Sequence, residues 1–168
     1  KISMDYDTAG VWRHRKKDGA IIYVEITTHD ITFMGRKARV VLANDITKRK
    51  QAEDALHESE ERLRSILDNT TAVVYIKDIQ GRYTFINRQF ENLFHIKRDE
   101  IKGKTPYDCF PKEIAASHIE NDQKVFESKI PMQFDEMATH DAGIHSYLSV
   151  KFPLSDSAGT VYAVCGIS

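Results

Sequence analysis

Only a few residues in this chain are of types that do chemistry. His140, Asp141 and His145 sit around one glycine-containing turn, where two imidazoles and a carboxylate could start a metal site. They flank a hairpin and would need a further ligand from elsewhere, so a solvated turn is the simpler reading. The two cysteines, Cys109 and Cys165, are far apart and fit neither a Cys-x-x-Cys site nor a disulfide framework. Serine, histidine and aspartate are all present, but no spacing suggests a catalytic triad. The chain has no P-loop and no glycine-rich nucleotide box. No histidine sits in the helical context that a phosphoacceptor needs. The expected enzymatic role of this segment is therefore none.

Composition supports that reading. The chain has 168 residues, of which 41% are hydrophobic and 29% charged, as in a globular protein with its own core. A net charge of −1 gives no basic surface for nucleic acid. The apolar runs are far shorter than the roughly 20 residues a membrane-spanning helix needs, and no signal-peptide pattern opens the chain. A reducing, cytoplasmic setting is expected. The chain begins at Lys1 without a methionine, which reads as a segment of a larger parent.

The elements fall into three stretches. Residues 1–47 read as strands only. Val11–Lys16, Ala20–Thr28 and Ala38–Ile46 are separated by Lys17-Asp18-Gly19 and by Met34-Gly35, both turn signals. A three-stranded meander of this kind has a bare face and must pack on something. Residues 48–70 read as a helix with Thr47 as N-cap, free of glycine and proline and rich in helix formers. Leu56, Leu63 and Ile66 form a narrow heptad stripe that predicts pairing with a second copy as a coiled coil. A solvated, charged helix is the competing reading.

Residues 71–168 predict β-β-α-α-β-β-β. Asp78-Ile79-Gln80-Gly81 and Asp156-Ser157-Ala158-Gly159 mark tight turns, Asn87 is placed to cap a helix, and Gly103 is placed to end one. The fold class is α+β, a five-stranded antiparallel sheet with helices on one face. A pattern repeats within the chain: strand, Asp-Gly turn, long strand, glycine turn and apolar strand occur in Val11–Ile46 and again in Met132–Ile167. The first stretch thus reads as the second half of a domain like the one that follows.

Asp78-x-x-Gly81, Phe85-Ile86-Asn87, Ile101-x-Gly103-Lys104, Phe110-Pro111, Asn121-Asp122 and Phe152-Pro153-Leu154 occur in an order that resembles the PAS family of bacterial multi-sensor histidine kinases. Asp45-Ile46-Thr47 followed by Lys48-Arg49-Lys50 resembles the junction where a PAS domain passes into its signalling helix. The resemblance implies half of one PAS domain over 1–47, a linker helix over 48–70 and a nearly complete second PAS domain over 71–168. It implies a homodimer, neighbouring PAS, GAF and kinase domains in the parent chain, and no contact with nucleic acid or membrane.

The resemblance also implies an internal cavity. Strand alternation and the family pattern together place Tyr75, Ile86, Phe90, Phe94, His118, Leu148, Val150, Phe152 and Cys165 inward, around a small ligand or a side-chain packing. His118 falls where haem-binding members place an axial histidine. Cys109 lacks the Asn-Cys-Arg-Phe context of flavin photochemistry. The expected function is sensing and relay within a sensor kinase, with Asp45, Ile46 and Thr47 as the junction. The rivals are a direct haem or small-ligand sensor and a structural spacer.

Overall fold

Aspartates at the start of tight turns set the hairpins. Asp78 Oδ1 accepts from the Gln80 and Arg82 amides, each at 2.9 Å, and Asp156 Oδ1 accepts from Ala158 and Thr160 at the same distance. Asp18 Oδ1 accepts from the Ala20 amide at 2.9 Å. These side chains hold the turn backbone where strand pairing stops. The structure is a computed structural model that describes residues 7–141 and 143–168. It divides between Glu61 and Arg62 into two compact units.

In the first unit, β1 (Asp7–Arg15), β2 (Ile21–Phe33) and β3 (Arg36–Asp45) pair antiparallel in that order. Strand β2 runs past Thr28 because β3 keeps pairing with it as far as Phe33 and Arg36. Val24 and Ile46 are buried, whereas β3 is exposed at every residue. Helix α1 spans Thr47–Asn69 and has no buried residue. Thr47 is its first residue rather than its cap. The Thr47 hydroxyl accepts from the Tyr23 amide at 2.9 Å and donates to Asp45 Oδ1 at 2.5 Å, and Asp45 also accepts the Thr47 amide at 3.0 Å. The hydroxyl is spent on β2, so the aspartate does the capping. Leu56, Leu63 and Ile66 are all exposed.

The second unit carries a sheet in the order β5-β4-β8-β7-β6, built from β4 (Val74–Asp78), β5 (Tyr83–Ile86), β6 (Met132–His140), β7 (Gly143–Ser155) and β8 (Val161–Ile167). Every pairing is antiparallel. Helix α2 (Arg88–Phe94), α3 (Arg98–Ile101), a 3-10 turn (Pro106–Asp108) and α4 (Lys112–Ser128) pack on its inner face. This is the α+β arrangement expected from the sequence. Asn87 caps α2 by accepting the Phe90 amide at 3.1 Å. His95 then takes a left-handed backbone and splits the expected single helix into α2 and α3.

Two backbone details shape the inner face. Lys77 pairs with Tyr83 but Ile76 pairs with Phe85, so Thr84 is the extra residue of a bulge. The bulge lets both Tyr83 and Ile86 point inward, where they are 2% and 1% exposed. At Gly166, a Cβ would lie 2.3 Å from Tyr75 Cζ. Only glycine lets the Tyr75 ring lie against β8. No helix among the described residues is long and apolar enough to cross a membrane.

Candidate functional site

Edge-to-face aromatic packing builds the interior of the second unit. Tyr75 and Phe90 have centroids 6.2 Å apart, Tyr83 and Phe90 5.6 Å, and Phe94 and Phe110 5.2 Å. Between them lies a cavity of about 30 Å³. Its apolar walls are Val73, Phe90, Phe94, Phe110 and Ala138, and its polar walls include Tyr75, Tyr83, His118, Glu136, Tyr147 and Ser149. In liquid terms that is about one water molecule, an order of magnitude below the ~300–1,000 Å³ of ordinary small-ligand pockets.

Of the nine residues expected to face inward, Tyr75, Phe90, Phe94 and His118 line this cavity, and Ile86 lies in the core cluster around it. The other four are placed differently. Leu148 and Val150 are 58% and 40% exposed. Phe152 pairs with Cys165, and Cys165 with Ile76, while the inward Tyr75 and Lys151 both pair with Gly166. Residues directly opposite share a face and successive residues alternate. Leu148, Val150, Phe152 and Cys165 therefore lie on the outer face of the sheet. Hydrophobicity gives the wrong phase for β7, because its inward residues are the polar Ser149 and Lys151, 1% and 0% exposed.

Those polar residues have charged partners. Lys151 Nζ lies 2.7 Å from Asp122 Oδ1 and 2.6 Å from Glu136 Oε1. Lys77 Nζ lies 2.5 Å from Asp122 Oδ2, a contact of charge rather than of aligned hydrogen-bond geometry. Asn121 Nδ2 donates to Glu136 Oε1 at 3.0 Å, and Lys151 donates to the His118 carbonyl at 3.3 Å. Both lysines and both carboxylates are at most 4% exposed. Two cations and two anions cancel, which is what makes such burial tolerable. Burial alone would raise the Asp122 carboxyl, but the Lys77 and Lys151 ammoniums hold it below its ordinary value. Burial lowers Lys77 and drives Tyr75 and Tyr83 well above their ordinary values.

His118 Nε2 lies 2.8 Å from the Met137 carbonyl oxygen. A carbonyl only accepts, so Nε2 carries the proton and is not free to ligate a metal. Burial depresses the imidazole below its ordinary 6.5, which keeps it neutral. A haem or a flavin does not fit this cavity, and His118 is engaged with β6. Burial raises the Cys109 thiol, away from thiolate chemistry, and pushes Cys165 up to about 11.

The histidines of the β6–β7 turn close one end of the cavity. His140 Nε2 lies 2.5 Å from the Tyr147 hydroxyl, the His140 ring meets Phe94 with centroids 5.9 Å apart, and His145 stacks on His140 at 3.9 Å. Asp141 reaches His95 at 3.0 Å and His140 at 3.3 Å. Among the described residues no three ligand-type side chains converge as a metal site.

A second polar cluster ties α1 to the cavity wall. Asn87 Nδ2 donates to the Leu67 and Ala72 carbonyls, each at 2.9 Å, while Asn87 Oδ1 accepts from Val74 at 3.0 Å. Asp68 accepts the Arg88 amide at 3.0 Å and the Arg98 guanidinium at 3.1 Å. Arg98 also binds Glu91 at 3.0 Å. The last turn of α1 is thus fastened to the start of α2, the helix that carries Phe90 and Phe94, and to Arg98 at the start of α3, which reaches back to Glu91 of α2.

Sequence reasoning missed Lys77, Glu136, Lys151 and this fastening. The available signal was His118, Asn121, Asp122 and Val125 on one face of α4, where two strongly polar residues interrupt an apolar stripe. A buried carboxylate there demands cations from the facing strands.

Comparison with known proteins gives a consistent picture. Residues 67–168 match the family model described as PAS fold. The methanogenesis regulatory histidine kinase FilI of Methanothrix harundinacea is 32% identical over 111 residues, which is 66% of this chain and 12% of that protein. The virulence sensor protein BvgS of Bordetella pertussis is 35% identical over 66 residues, 39% of this chain and 5% of that protein. The chain therefore spans only a small part of these relatives. The PAS domain of an HTR-like protein from Haloarcula marismortui superimposes with a TM-score of 0.58 at 17% identity, covering 70% of this chain and 96% of that domain.

Proposed function

The chain belongs to the PAS-fold family, and from that premise we propose that it is a sensing and relay module within a cytoplasmic two-component sensor histidine kinase. The cavity of the second unit is the sensing element and α1 is the relay. The kinase domain lies elsewhere in the parent chain. Residues 1–47 form the closing half of a preceding PAS domain, 48–70 the linker and 71–168 the second domain.

The observation that carries this reading is the pair of hydrogen-bonded junctions at the two ends of one helix. Asp45 and Thr47 fasten its start to β2 and β3, and Asn87, Asp68 and Arg98 fasten its end to the start of α2 and of α3. A helix held at both ends by directional bonds passes on displacement from one to the other. A change at Phe90 or Phe94 moves α2, and α2 cannot move without straining Asn87 and Arg98. Relay requires a second state that the signal favours. Homodimerisation through Leu56, Leu63 and Ile66 supplies it as an alternative pairing of two α1 helices. These side chains are 61%, 59% and 62% exposed, on a helix with no buried face of its own.

Sedimentation at micromolar concentration tests the relay surface. The wild type is expected to be a dimer, and Leu56→Glu with Leu63→Glu a folded monomer. A monomeric wild type, or a dimer that survives both charges, would remove α1 as the pairing element.

A further inference from the structure

The walls of the cavity leave polar atoms unanswered. Glu136 is 4% exposed, and its Oε1 takes both Lys151 and Asn121. No hydrogen bond reaches Glu136 Oε2 among the described residues, and none reaches the hydroxyls of Tyr75 or Tyr83, which are 7% and 2% exposed. All three side chains line the cavity. Among the described residues Asp122 Oδ2 alone is a fully buried side-chain atom without a hydrogen-bond partner, so Glu136 Oε2 opens onto the cavity, where a guest that donates can reach it. His118 adds to that demand. With its proton on Nε2, its Nδ1 is an acceptor.

The guest's charge follows from the same residues. Lys77, Lys151, Asp122 and Glu136 already sum to zero, and His118 is neutral. An anion would meet Glu136 with no cation left over to pair with it. A cation would find the aromatic faces already engaged, since the Lys77 ammonium lies 5.0 Å from the Tyr75 centroid and 5.2 Å from that of Tyr83. Either net charge would be buried without compensation. We propose that the cavity recognises a small, uncharged molecule that donates a hydrogen bond to Glu136 and packs its apolar body against Phe94 and Phe110. This rests on the cavity being the sensing element. A guest larger than the cavity enters by parting Phe94 from the His140–Tyr147 end.

Pyrazole and isoxazole separate the idea from its neighbours. The two rings have nearly the same size, both are uncharged at neutral pH, and only pyrazole has an N–H. Acetate and methylammonium serve as the anion and the cation. Each is titrated into the whole chain while the methyl signals of Ala138 and Val73 are followed by NMR. Saturable shifts with pyrazole, binding by isoxazole weaker by about tenfold or more, and no shift with either ion are expected; tenfold is the worth of one hydrogen bond to a charged group. Glu136→Gln should weaken pyrazole by a similar factor. Tyr75→Phe, which keeps the charge balance, serves if that variant does not fold, and should weaken pyrazole severalfold. Equal binding of isoxazole, or an ion that shifts the same methyls, overturns the ligand class and leaves the cavity as a binding site. No cavity shift with any of the four overturns both.

Discussion

The chain contains two three-stranded meanders of the same sequence pattern, β1-β2-β3 and β6-β7-β8. In the first, β3 is exposed along its whole length, with Leu42 at 66%. In the second, the last strand carries Val164 at 0% and Ala163 at 3%. Both meanders pair antiparallel, but β3 pairs with β2 alone, whereas β8 pairs with β4 as well as β7. The second sheet also carries a layer of helices on its inner face, the face to which Val164, opposite the inward Lys77, belongs. Once α4 is in place, β6 and β7 can hold charged residues inward, because Asp122 and Asn121 answer them. Among the described residues of the first sheet Val24 alone is buried.

Removing the answering charge should give the largest effect. Asp122→Ala leaves two buried ammoniums against one carboxylate and is expected to cost about 3–5 kcal/mol. Urea unfolding followed by the ring signals of Tyr75 and Tyr83 measures it. A loss below 1 kcal/mol would mean that the quartet is not what holds the inner face together. Next comes Gly166→Ala. Its Cβ would meet the Tyr75 ring at 2.3 Å, and overpacking of that kind costs about 1–3 kcal/mol. The same change at Gly35, with nothing within 4 Å, meets only backbone strain at its positive φ, without a ring to displace.

Arg98→Ala should follow, at about 1–2 kcal/mol for charge-assisted bonds to Asp68 and Glu91 on a side chain only a quarter exposed. It should also loosen the last turn of α1 more than it loosens β6 or β7.

The effect of pH on His118 is smaller and has a fixed sign. Burial depresses the folded-state value below the ordinary 6.5, so the unfolded chain takes up the proton first as pH falls. The stability contributed by the neutral imidazole is present above pH 6.5 and is lost as pH falls toward the folded value. Comparing the wild type with His118→Gln at pH 7.5 and pH 5.5 isolates this contribution. The gap between them should shift in favour of the variant at the lower pH, and an unchanged gap would contradict it. Smallest of all, Leu42→Lys on the bare sheet should change stability by no more than about 0.5 kcal/mol. A large loss there would show that β3 is covered in solution.

Much of this was legible in the sequence, for local reasons. Asp78, Gly81, Asp156 and Gly159 determine their own turns, and Asn87 caps α2 through its own side chain. The same holds for the Asp45–Thr47 junction, although the aspartate rather than the threonine does the capping. The face of β7 was not legible. Alternation alone puts Leu148 and Val150 inward, and the choice of phase depends on Asp122 and Glu136, residues remote from Lys151 in sequence. The split of α2 from α3 was hidden too, because a histidine rather than a glycine takes the left-handed position.

In the proposed relay, the cavity wall and the end of α1 move together through α2. Amide hydrogen exchange across residues 62–69 tests it in Phe94→Ala, which widens the cavity, with Leu148→Ala on the outer face as the control. Exchange at 62–69 is expected to change severalfold in Phe94→Ala and to stay at the wild-type rate in Leu148→Ala. Altered exchange confined to α2, with 62–69 unchanged, would contradict it.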